Sequence, residues 1–130
     1  MTLTAGVHHI GLTVSDPEES AEFFTRLLGW EVVKRLDDYP AIFVKDKQIM
    51  ITLWKTQTEA PVNFNRKTNI GLHHLALRVN TREELLRTYA VLKENNIEIE
   101  FEPTPLGEGP AMHMMCYEPG GIRIEFYWAE

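Results

Sequence analysis

Residues 7–14 read VHHIGLTV, and residues 72–79 read LHHLALRV. The chain uses one phrase twice, and a His-His pair opens it each time. Four of the five histidines lie in these two phrases. In the first, Ile10, Leu12 and Val14 alternate with His9, Gly11 and Thr13, the period of two that marks a half-buried strand. The sequence that follows has a helix start. Asp16 suits an N-cap, Pro17 the first helical position and Glu19 the capping-box acid. A helix is predicted to about Leu28, with Phe24, Leu27 and Leu28 inward and Gly29 ending it. Three strand-like runs come next: WEVVKRL, AIFVKD and QIMITLWK.

The second half keeps this order. Thr81 and Glu84 make a second capping box, and a helix runs through Leu85, Tyr89 and Leu92 to the Asn95-Asn96 pair. IEIEFE, AMHMMCYE and GIRIEFYW are its three strands. Each half therefore reads β-α-β-β-β, an α+β class built by duplication. The repeat returns at the end, where residues 49–54 (IMITLW) align with 122–127 (IRIEFY). Module 1 covers about residues 7–55, a polar linker 56–70, and module 2 about 71–128 of a single domain, 1–130. The stretch EPTPLGEGP, 102–110, reads as a Pro/Gly-rich loop, and EPGG, 118–121, as a tight turn.

Composition narrows the function classes. The net charge of −6, with both signs intermixed, argues against nucleic acid or an anionic membrane as partner. Cys116 is the only cysteine, so no intrachain disulfide forms and a reducing, cytoplasmic setting is expected. Neither a signal peptide nor a membrane span is visible.

Strand parity then sorts the side chains. Ile10, Leu12, Val14, Ile49, Ile51, Leu53, Leu75, Leu77, Val79, Ile122 and Ile124 belong to the face that meets the helices. The opposite parity carries His9, Thr13, Met50, Thr52, Trp54, His74, Arg78, Arg123, Glu125 and Tyr127, a mixture suited to lining a ligand site. Two neutral imidazoles, His9 and His74, and the carboxylate of Glu125 suit one divalent metal ion and leave positions open for substrate or water. His8 and His73 have the other parity and read as strand-end residues outside the ligand set.

Three stretches together, HIGLTVSDPEESAEFFTRLLGW, HLALRV and EPGGIRIEFY, resemble the vicinal oxygen chelate superfamily, the glyoxalase/bleomycin-resistance/dioxygenase group. The resemblance spans residues 7–128. It implies paired βαβββ modules forming a cupped mixed sheet around a metal (Zn, Ni, Mn or Fe), with the helices outside. It carries His9, His74 and Glu125 onto the metal ligands. It further implies a homodimer, with His9 from one subunit and His74 and Glu125 from its partner. Where glyoxalase I holds a fourth ligand, this chain has Thr52, so Thr52 or water would fill that place.

The expected function is a metal-dependent, glyoxalase-like lyase or isomerase that chelates a small substrate through adjacent oxygens. The alternatives are an extradiol-type ring-cleaving dioxygenase using Fe(II), a fosfomycin-type thiol transferase, and a non-catalytic binder of the bleomycin-resistance type. His113 is a candidate acid/base behind the ligands. Thr52, Trp54, Arg78, Arg123 and Tyr127 are candidate substrate contacts, the arginines for anionic groups and the aromatics for planar ones.

Overall fold

Both repeats fold as the alternation dictates. The computed structural model describes residues 1–130 and divides into two compact units, Met1–Pro61 and Val62–Glu130. The first unit runs β1 (His9–Val14), α1 (Pro17–Glu22), β2 (Glu31–Leu36), β3 (Ala41–Lys45) and β4 (Met50–Lys55). Its four strands form one mixed sheet in the order β1-β4-β3-β2, with β1 parallel to β4 and the other pairs antiparallel. The second unit runs β5 (Leu75–Arg78), α2 (Arg82–Glu94), β6 (Glu98–Pro105), β7 (Met112–Tyr117) and β8 (Arg123–Trp128). Its order, β5-β8-β7-β6, repeats the first with the same senses. The class is α+β, two βαβββ modules.

The helix-facing parity is the core of each unit. Leu12, Val14, Ile51 and Leu53 are buried in the first, and Leu75, Leu77 and Ile124 in the second. Removing such aliphatic side chains from water drives the packing, at roughly 1.5–3 kcal/mol each. α1 packs on β3 and β4, and α2 on β6, β7 and β8. The caps are those the sequence announces. Asp16 accepts from the backbone N–H groups of Glu18 and Glu19. Thr81 accepts from Glu84, whose own carboxylate reaches back to the N–H of Asn80, one residue beyond the usual capping-box partner.

Two local features differ from expectation. The first helix does not run on to Leu28 as one α-helix; it widens into a π-turn over Phe23–Leu27. The widened turn seats two adjacent rings, Phe23 and Phe24, both buried and edge-to-face at 5.1 Å, while Leu27 and Leu28 stay half-buried. The stretch 102–110 is also not all loop. β6 continues to Pro105, and Thr104 and Pro105 pair with His113 and Met112 beyond irregularities in the ladder. Only the tip, around residues 106–111, turns back, closed by the Leu106 N–H donating to the Ala111 carbonyl. The EPGG turn is as expected, with Gly121 at φ +89°, a conformation only glycine adopts without strain. No helix is long and apolar enough to cross a membrane.

Candidate metal centre

Register decides which residues are equivalent. On the first sheet Gly11 lies opposite Thr52, and on the second Ala76 lies opposite Glu125. The ladders therefore pair Thr52 with Glu125 as structural counterparts, as the sequence repeat implies. The two positions are chemically unlike.

In the second unit, Glu125 stands in mid-strand on β8 and is 9% exposed. A carboxylate so placed is costly unless charge or hydrogen bonds meet it. Two imidazoles do so, one on each oxygen. His113, from β7, places Nδ1 2.6 Å from Oε2. His74, just before β5, places Nε2 3.4 Å from Oε1. These distances carry different chemistry. At 2.6 Å a proton lies between the atoms, and His113 donates a charge-assisted hydrogen bond. Donors that share one ion at about 2.0–2.2 Å stand about 2.8–3.6 Å apart, depending on whether they subtend a right or a tetrahedral angle. His74 Nε2 and Glu125 Oε1 fit that spacing, whereas His113 and Oε2 are too close. The Phe101 ring lies 4.8 Å from the His113 ring and helps hold it. Within the chain, no group of three or more His, Cys, Asp or Glu side chains is gathered to hold a metal ion.

Beside this cluster lies a network that strand parity alone did not reveal. Arg123 Nε and Nη2 donate to the two oxygens of Glu100 at 2.9 and 2.8 Å. The Tyr117 hydroxyl donates to Glu100 at 2.6 Å and accepts from Arg66 at 3.1 Å. The Arg123 hydrogen bonds, reinforced by Tyr117 and Arg66 against the cost of burial, hold the Glu100 carboxyl at about 2. Arg123 thus spends its fork on Glu100, and its remaining Nη1 reaches His73 Nδ1 at 3.4 Å. Desolvation and this guanidinium hold His73 below the ordinary imidazole range. Arg78 and Tyr127 pair in register at the end of the β5–β8 ladder, both exposed.

In the first unit, Thr52 is buried and its hydroxyl accepts from Trp54 Nε1 at 2.9 Å. Tyr39 and Phe43 flank Trp54 at 5.1 and 5.7 Å between ring centres. Gly11 leaves room for this arrangement. A Cβ there would meet Thr52 Oγ1 at 3.2 Å and Trp54 Nε1 at 3.7 Å. His9 begins β1 and is exposed.

One geometry recurs in both units. His8 and His9 bring their Nδ1 atoms to 2.8 Å, with ring centres 5.0 Å apart in an edge arrangement. His73 and His74 do the same, at the same 2.8 and 5.0 Å. In each pair the Nδ1 of the second histidine is engaged and its Nε2 is the nitrogen left for other partners.

Cys116, on β7, is fully buried, and burial followed by the nearby Glu118 pushes its thiol up to about 12, so it stays protonated and inert near neutral pH.

Comparison with known proteins supplies the context. A family model for the Glyoxalase/Bleomycin resistance protein/Dioxygenase superfamily matches residues 6–126. A catechol-2,3-dioxygenase of Bacillus subtilis (strain 168) is 28% identical over 122 residues, covering 92% of this chain and 41% of that protein. A trivalent organoarsenical cleaving enzyme of Bacillus sp. (strain MD1) is 27% identical over 94% of this chain and 72% of that protein. This chain thus spans less than half the length of the dioxygenase. Among solved structures, a glyoxylase/bleomycin resistance protein/dioxygenase domain from Frankia sp. EAN1pec superposes with a TM-score of 0.86 at 21% identity, covering 98% of this chain and 93% of that one.

Proposed function

Because the chain belongs to the glyoxalase/bleomycin resistance protein/dioxygenase superfamily, we propose that it is a metalloenzyme acting on a small molecule through two neighbouring oxygens. Its ligands would be His74, Glu125 and His9. The observation that carries this reading is the His74–Glu125 pair, a buried carboxylate oxygen and an imidazole Nε2 3.4 Å apart, at the spacing of two donors to one ion. His113 occupies the other carboxylate oxygen and leaves Glu125 one oxygen for the ion. The resemblance that runs through residues 7–128 implies a dimer in which His9 comes from the other subunit. Mixing His9→Ala with Glu125→Ala subunits should then regenerate intact sites; no return of metal binding after subunit exchange would defeat the shared arrangement.

The bound ion would supply Lewis acidity to the chelated oxygens. The residues around it restrict the reaction type. By the resemblance, Thr52 takes the place of glyoxalase I's fourth ligand, and its hydroxyl, already engaged by Trp54, is a poor donor to a divalent ion. Two histidines and one carboxylate with open positions is the set used by Fe(II) oxygenases. Together with the similarity to a catechol-2,3-dioxygenase, this favours oxygen-dependent cleavage of a diol-bearing substrate over the glyoxalase-like lyase that sequence resemblance suggests. The lyase reading keeps one support. With Nδ1–H donated to Glu125, His113 has Nε2 as a base for proton transfer. Assay of Fe(II)-reconstituted protein on catechols, with and without oxygen, separates the two. Turnover only with oxygen supports the dioxygenase. Anaerobic isomerisation of a hemithioacetal or related carbonyl, without ring cleavage, would replace it with the lyase.

A further inference from the structure

The repeated His-His pair still needs an account, because the metal reading uses only its second member. We propose that His8 and His73 are positioning residues, each accepting the Nδ1–H of its neighbour and so presenting the bare Nε2 of His9 and His74 to the metal. The inference rests on the metal reading above and adds to it how the ligand nitrogens are selected.

The second unit determines where the proton sits. His73 Nδ1 faces two groups, His74 Nδ1 at 2.8 Å and Arg123 Nη1 at 3.4 Å. A guanidinium only donates, so the lone pair is on His73 Nδ1. The proton in the 2.8 Å contact then belongs to His74 Nδ1, and His74 Nε2 carries a lone pair. The other end agrees. A charge-assisted N–H···O bond closes to about 2.7–2.9 Å, and Nε2 stands 3.4 Å from Glu125 Oε1. Two lone pairs held face to face in this way make a seat for a cation. Arg123 is itself fixed by its two bonds to Glu100, so the chain Glu100–Arg123–His73–His74 orients the ligand from behind. The first unit repeats the Nδ1 contact at 2.8 Å, with the rings 81° apart against 73° in the second, and His8 takes the same task toward His9 by analogy with the repeat. Fixing the tautomer of a metal-binding imidazole through its other nitrogen is a general requirement of such sites. Here a second histidine meets it, in place of the more usual carboxylate or carbonyl.

The test reads the tautomer first and the metal second. In metal-free protein labelled with 15N-histidine, at about pH 8.5 where ordinary imidazoles are neutral, two-bond correlation spectra should show His74 as the Nδ1–H form. In His73→Ala it should shift toward the mixture of an unconstrained ring. Zn(II) affinity, measured against a chromophoric chelator, should fall roughly 10–100-fold in His73→Ala, the usual cost of losing such a partner. His73→Asn, whose side-chain oxygen sits near the lost Nδ1, should restore most of it. His8→Ala should weaken Zn(II) in the same direction. A wild-type His74 protonated on Nε2, or His73→Ala binding Zn(II) as tightly as wild type, overturns the inference. Wild-type protein that keeps the Nδ1–H form yet binds no Zn(II) overturns the metal reading alone.

Discussion

The two units share a backbone plan, and their most consequential difference is at one register position. Opposite Ala76, the second unit has Glu125, met by His74 and His113; opposite Gly11, the first has Thr52, closed off by the Trp54 indole. Duplication alone would give two equivalent sites. One half instead keeps a charge whose second oxygen is available, and the other ends in a neutral hydrogen bond with an aromatic wall around it. The duplicated position thus carries a buried carboxylate in the second unit and a neutral hydrogen bond in the first.

The largest expected effect tests that division directly. Glu125→Gln keeps the shape and removes the charge. Zn(II) binding should weaken at least about 100-fold, beyond the 10–100-fold typical of supporting residues, with far-ultraviolet dichroism unchanged. Thr52→Val, at the counterpart position, should leave Zn(II) affinity within about threefold and cost about 1 kcal/mol of stability from the stranded indole N–H. Equal loss of metal in both variants would mean that Thr52 is a ligand and that the halves are alike after all.

Acid should also separate the units. Arg123 and its neighbours hold Glu100 at about 2, far below the 4.5 of a free glutamate. The first unit has Met50 at the position of Arg123 and lacks such a network. A folded-state value below the unfolded one adds stability that is complete above about pH 4.5 and is lost as pH falls toward 2. Glu100 is exposed, so solvent screening holds the contribution to about 1 kcal/mol. Urea unfolding across pH 2–7 should show that loss, and Glu100→Gln should flatten it while lowering stability at pH 7. A wild-type profile as flat as that of Glu100→Gln would show the network to be solvated and weak.

These contrasts also show what could be read from the letters alone. Alternation placed Leu12, Val14, Ile51, Leu53, Leu75, Leu77 and Ile124 in the core, because a strand's period of two leaves no other parity once one face is apolar. The repeat matched Thr52 to Glu125, and the ladders agree. The Glu100–Arg123 pairing was hidden because Glu98 and Glu100 share one parity, and choosing between them needs the observed β6–β7 register, which shifts between Ile99 and Phe101. The His73–His74 contact was hidden for a related reason. β5 begins at Leu75, so the two histidines precede the strand and its alternation does not govern them. The tie between His113 and Glu125 needed the β7–β8 register, which no local pattern supplies.

Gly11 offers a smaller test. The second unit has Ala76 at this position, yet a methyl group on Gly11 would press Thr52 Oγ1 at 3.2 Å, where Trp54 already donates. Gly11→Ala should therefore cost about 1–2 kcal/mol, since the methyl overpacks a position whose neighbours are fixed. Ala76→Gly should cost about 0.5–1 kcal/mol for the opposite reason, greater freedom of the unfolded chain. Chemical denaturation of both variants checks the pair. A stabilising Gly11→Ala would show that Thr52 and Trp54 yield, and that the first unit's wall is soft.

The smallest effect isolates the indole. Trp54→Phe keeps a ring beside Tyr39 and Phe43 and removes only the N–H that meets Thr52. An ordinary hydrogen bond contributes about 0.5–1.5 kcal/mol. A loss near 1 kcal/mol with unaltered Zn(II) affinity is expected. His113→Phe is the matched change in the second unit, since it too removes a donor to the register-equivalent side chain. There the acceptor is the charged carboxylate proposed as a ligand, so Zn(II) affinity should fall as well as stability. If Trp54→Phe disturbs the metal as much as His113→Phe does, the indole acts on the ion through Thr52, and the first unit contributes more than His9 to the proposed site.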